Sequence, residues 1–134
     1  MALQLSTAAL NARLDSIETT VGASPKLQLR SGAAPSNCAA AASGTLLAEI
    51  TLPSDWMAAA SGGTKAKSGT WSGTGSAGGT IGHFRVVDSA GTTCHLQGSV
   101  TATGGGGDMT VDNTSIASGQ SVTVNTFTLT DPNA

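Results

Sequence analysis

Apolar and polar residues alternate in two runs between Gly79 and Thr103. Phe84 and Val86 mark the first run and Cys94, Leu96 and Val100 the second, with His83, Arg85, Thr93, His95, Gln97, Ser99 and Thr101 between them. A period of two is the mark of a strand with one buried face. Ser89-Ala90-Gly91 separates the runs, and a short loop containing Gly predicts a β-hairpin. With those residues as the loop, Val86 faces Cys94, Phe84 faces Leu96, His83 faces Gln97 and His95 faces Arg85. Both apolar sets then share one face, as burial requires.

The same pattern recurs along the chain. Residues 26–31 read as a strand with Leu27 and Leu29 inward, and residues 45–52 as another with Leu46, Ala48, Ile50 and Leu52 on one face, ended by Pro53. Residues 108–112 place Met109 and Val111 inward. In residues 120–130 the apolar phase slips from Val122 and Val124 to Phe127 and Leu129, which predicts a β-bulge near Asn125-Thr126 or a strand passing between sheets. Residues 67–72 read as a weak edge strand blunted by lysine. The glycine clusters at 61–63, 73–79 and 104–107 read as loops, the last a flexible turn. The Ala-rich connection 32–44 is long enough to lie against something.

Only residues 6–21 have helical periodicity. Ser6 suits the N-cap and Gly22 the C-terminal stop. Leu10, Leu14, Ile17 and Val21 make one apolar stripe, with Asn11, Arg13, Asp15, Glu18 and Thr19 around the remainder. A helix this short is marginal alone, so the stripe docks either on the chain's own sheet or on a neighbouring subunit. The expected fold is mainly β: an antiparallel β-sandwich, jelly-roll-like, with a short N-terminal α-helix. Residues 1–25 would form a helical arm and residues 26–134 the sandwich domain.

Composition narrows the function. Of 134 residues only 10% are charged and 3% aromatic, with 18 Gly and no Tyr. Such a chain makes a poor monomeric surface, which suggests cover by other protein. A net charge of −2 and scattered basic residues leave no footprint for nucleic acid. No run resembles a signal peptide or a membrane span, so synthesis in the cytoplasm, no export and no membrane partner are expected. Cys38 and Cys94 read as two free thiols, Cys94 packing on the apolar face, with a disulfide as the alternative.

Catalytic and cofactor chemistry finds no constellation, so no enzyme, cofactor or metal is expected. His83 and His95 fall diagonally on the outward face, lack a third ligand and have Arg85 beside them. Asp108 and Asp112 leave calcium open but match no EF-type loop. The glycine run lacks the Lys-Ser or Lys-Thr of a phosphate loop. Trp56 and Trp71 lie among small and turn residues, where one is expected to plug the core and the other to anchor an interface.

The stretches LSTAALNARLDSIETTVG, LLAEITLPSDWM, GHFRVVDSAGTTCHLQGSV and GGGGDMTVDNTSIASGQSVTVNTFTLT resemble small virion structural proteins of tailed bacteriophages and prophages. The resemblance implies a head decoration, or cement, protein on the capsid exterior, made in the host bacterial cytoplasm. Its partners would be the major capsid protein and its own copies, as a dimer or trimer. Leu10, Leu14, Ile17, Val21, Trp56 and Trp71 are the candidate contact residues read from the sequence. The alternative is a tail or fibre subunit binding a host-surface glycan or receptor.

Overall fold

Local chemistry sets the ends of the helix. In the computed structural model, which describes residues 3–131, α1 spans Thr7–Val21. Ser6 Oγ accepts the Ala9 N–H at 3.1 Å, and Gly22 (φ +90°) donates its N–H to Glu18 O at 2.9 Å, closing the last turn. The extreme ends of the two expected units, residues 1–2 and 132–134, lie outside the described residues.

Nine strands follow among the described residues: β1 (Lys26–Ser31), β2 (Leu46–Thr51), β3 (Thr64–Ala66), β4 (Ser72–Thr74), β5 (Gly79–Val87), β6 (Cys94–Ala102), β7 (Met109–Val111), β8 (Ser115–Ile116) and β9 (Ser121–Thr130). They form one mixed sheet in the order β2-β1-β5-β6-β7-β9-β3, with β4 also on β9 and β8 on β5. The sheet curls until β4 reaches β2: Ala48 bridges Gly75, and Ser76 N–H donates to Leu47 O at 2.7 Å. A side chain at Gly73 would meet Ile50 Cγ1 at 2.8 Å, so this approach needs glycine.

The protein is mainly β, as expected, but the sheet is not purely antiparallel. β6 and β7 pair in parallel, Val100 against Met109. Parallel neighbours ordinarily need a long crossover. Here residues 103–108 suffice because β7 is only three residues long and the glycine run doubles back tightly. Gly107 N–H donates to Thr101 Oγ1 at 3.0 Å, and a Cβ at Gly105 would stand 2.7 Å from that of Thr101. The run is a packed fold-back, not a flexible turn.

The hairpin keeps the expected faces but shifts by two residues. Phe84 lies opposite Gly98, Val86 opposite Leu96, His83 opposite Ser99 and Arg85 opposite Gln97. The glycine makes room for the ring: a Cβ on Gly98 would stand 2.9 Å from Phe84 Cε1. The ladder then slips so that Val87, not Val86, meets Cys94. Cys94 therefore leaves the apolar face and joins Arg85 and Val87 on the other side. The expected bulge in β9 is present: Thr126 pairs with Thr110 and Val124 with Val111, leaving Asn125 out of the ladder. Val122, Val124 and Phe127 are thereby all buried. A similar slip at Leu47 puts it in the core where Leu46 was expected, and Leu46 is half-buried. The edge strand expected at 67–72 is not formed: residues 67–71 make the link between β3 and β4, turning at Gly69 (φ +73°), with Lys67 only bridged to Met57.

One core runs through the curl, and its aromatic spine is continuous. Trp56 meets Trp71 at 5.9 Å between ring centroids, Trp71 meets Phe127 at 5.7 Å, and Phe127 meets Phe84 edge-on at 5.4 Å.

Candidate functional site

The expected contact residues lie mostly inside. Leu10, Leu14 and Val21 of α1 are buried and Ile17 is half-buried, so the chain's own sheet covers the stripe. Trp56 and Trp71 are both 0% exposed, with their indole N–H groups donating to Gly22 O and Ser68 O. Both tryptophans are therefore core residues, where one had been expected at an interface. Ile17, with the edge of Val21, lines a small surface groove shared with Ser16, Thr20, His95 and Leu96.

Polar residues of α1 also point inward. Lys65 on β3 is 1% exposed, and its ammonium reaches Asp15 Oδ1 at 2.6 Å, Glu18 Oε2 at 2.8 Å and Ala58 O at 2.8 Å. Burial alone would lower the lysine pKa, but the bonds to Asp15 and Glu18 outweigh it and raise it above the usual lysine value. Asp15 is correspondingly held below the ordinary carboxylate range by its bonds to Lys65 and to the Ala60 N–H. Lysine in a strand among small residues reads as a solvent-facing edge. Its position under the helix carries no local signal.

The largest departure from expectation is the face carrying Arg85. One polar rung crosses four strands: Glu49 on β2, Gln28 on β1, Arg85 on β5 and Gln97 on β6 stand in register. Gln28 donates to Glu49 at 3.1 Å, and Arg85 to Gln97 at 3.3 Å. Residues 32–44 lie across this rung, so His83 is 1% and Arg85 5% exposed instead of facing water. Arg85 Nη2 donates to Cys38 O at 3.0 Å and Ala40 O at 3.1 Å. Gln97 Nε2 donates to Pro35 O at 2.7 Å, and His83 Nδ1 bonds Gly32 O at 2.9 Å. His83 Nε2 is buried without a hydrogen-bond partner.

The strap brings Cys38 beside Cys94, with Sγ atoms 2.7 Å apart. Burial, then the neighbouring Cys38 thiol, pushes the Cys94 pKa up to about 12. An open groove of about 310 Å³ runs past this pair, lined also by Gln28, Arg30, Arg85 and Val87. A second cleft of about 600 Å³ lies between β6 and β9, lined by Phe84, Leu96, Gln97, Asp108 and Phe127 among others.

The carboxylates weighed for calcium hold loops. Asp108 accepts the N–H and hydroxyl of Ser99 at 2.9 and 3.0 Å, and Asp112 accepts the Thr123 N–H at 3.0 Å. Among the described residues no three His, Cys, Asp or Glu side chains cluster as a metal site, and no helix is long and apolar enough to cross a membrane. Compared with protein-family models, curated proteins and solved structures, the chain matches none.

Proposed function

We propose that the chain is a structural subunit of a tailed-phage virion that decorates the capsid exterior and stabilises it by binding the major capsid protein lattice. In this reading the curled sheet is a jelly-roll-like sandwich, with Phe84 of β5 meeting Phe127 of β9 across its interior. The observation that carries the proposal is where the charge goes. All six basic side chains have partners within the chain. Arg13 pairs with Asp131, Lys26 with Glu49 and Lys65 with Asp15 and Glu18, while Arg30 bonds Gln28, Lys67 bonds Gly69 O and Arg85 holds the strap. Apart from Arg13 and a few exposed carboxylates such as Glu49, Asp55, Asp108 and Asp112, the outer surface is mostly Ser, Thr, Gly and Ala, chemistry suited to many neutral contacts on a repeating lattice. The resemblance to virion structural proteins points the same way.

A ligand that binds only the assembled shell stabilises it by mass action. Particles depleted of the protein should release DNA at a lower temperature, and adding it back should restore the original value even at high salt. Gold-labelled antibody should decorate heads. Labelling confined to the tail, with unchanged heat stability and lost adsorption, would replace this reading with the tail or fibre one. That alternative draws on the cleft between β6 and β9, but the exposed tryptophan it would favour is absent from the surface.

A further inference from the structure

We propose that Cys38 and Cys94 are a disulfide-forming pair that covalently fastens the strap over residues 32–44 to β6. The two residues stand 56 positions apart, yet their sulfurs lie at 2.7 Å, much nearer the bonded separation of about 2.05 Å than two unbonded sulfurs ordinarily pack. Three independent features produce the approach. The slip in the β5–β6 ladder turns Cys94 away from the core. Arg85 grips the carbonyl of Cys38 itself, and Gln97 grips Pro35 three residues earlier, so the strap is aimed before any bond forms. Both cysteines are half-buried beside an open groove, so a small oxidant reaches them.

The chemistry closes with a low-molecular-weight disulfide as oxidant. The Cys38 thiolate attacks one sulfur of the oxidant, forming a mixed disulfide and releasing one thiolate. Cys94 then attacks the Cys38 sulfur, forming the internal bond and releasing the second. The two cysteine protons end on the two released thiols. Cys94 holds its proton tightly and sits deeper in the hydrogen-bonding of β6, donating to Leu96 O at 3.3 Å, which suits it to the resolving role. The bond would close a long loop in the unfolded chain, so the oxidised form should be the more stable one.

The experiment equilibrates the full chain with reduced and oxidised glutathione, then traps free thiols by alkylation and reads intact mass. The expected product is a monomer lacking two hydrogens, melting roughly 10 °C above the reduced form and cut by proteinase K several-fold more slowly within residues 33–43. Cys38→Ser and Cys94→Ser should each melt like the reduced protein and lose the dependence on glutathione. Two thiols still alkylated in an excess of oxidised glutathione, oxidation only to intermolecular dimers, or an oxidised form no more stable than the reduced one would each overturn the proposal. The outcome is independent of whether the protein binds capsids.

Discussion

Replacing Gly98 by Ala tests the hairpin register in one step. Built on the backbone, the added Cβ stands 2.8 Å from Asp108 Oδ2, 2.9 Å from Phe84 Cε1 and 3.1 Å from Asp108 Cβ. Phe84 is 2% exposed and its ring is fixed edge-on against Phe127, so it has little room to retreat. Asp108 can move only by releasing the Ser99 N–H and hydroxyl. Overpacking of this kind costs roughly 1–3 kcal/mol, and a weakened Asp108–Ser99 contact adds on the order of 1 kcal/mol. At this chain length each kcal/mol shifts the melting temperature by about 3–5 °C, so a loss of roughly 6–20 °C is expected. Gly78→Ala is the matched control. Its Cβ would find only Ile116 O, at 3.8 Å, so the substitution should be neutral or should stabilise by about 0.4–1 kcal/mol through the unfolded chain. Thermal melts followed by circular dichroism distinguish the two. In the register with Phe84 opposite Leu96, Gly98 would not face the ring. Equal melting of Gly98→Ala and the parent would therefore refute the shifted pairing.

Deleting Asn125 should remove the bulge and throw Val122 and Val124 out of phase with Phe127. Exposing two valines costs on the order of 3–6 kcal/mol, while Asn125→Ala should cost only about 1 kcal/mol by losing its bond to Thr103; urea titrations of both variants check the difference. Stability should be greatest between mildly acid and mildly alkaline pH. Asp15 and Asp88 have lowered folded-state pKa values, so their contribution is present above the ordinary value of 3.8 and is lost as pH falls through the lower folded values. Lys65 has a raised value, so its contribution is complete below 10.5 and is lost as pH rises through the higher folded one. Urea midpoints for Asp15→Asn should fall less steeply on the acid side than the parent's. Both tryptophans should emit at short wavelength and resist acrylamide; quenching of either to the extent of free indole would contradict their burial.

What was legible in the sequence was whatever a period could encode. The faces of β5, the α1 stripe with its Ser6 and Gly22 ends, and the bulge at Asn125 all follow from the spacing of apolar side chains. The two-residue register shift did not, because it depends on the space that Gly98 leaves for Phe84, and spacing alone permits either pairing. His83 and Arg85 read as outward because they alternate with core residues, and nothing near them announces a cover arriving from residues 32–44. Lys65 gave no signal of burial for the same reason: its partner Asp15 is 50 positions away. The parallel β7 was hidden because a run of glycines before a short strand resembles a hairpin turn.

The strap over the polar rung is held in an unusual currency. Arg85, Gln97 and His83 all bond main-chain carbonyls of Gly32, Pro35, Cys38 and Ala40, never a side chain of the strap. The sheet thus recognises the path of that segment and is indifferent to most of the residues written along it. Apart from its cysteine, the Asn37 and Ser43 side chains that bond within it, and its terminal Gly32 and Gly44 at positive φ, the segment is free to change its outward chemistry while keeping its course. A surface of that kind can be rewritten one residue at a time, giving this protein a place to acquire new contacts without renegotiating its fold.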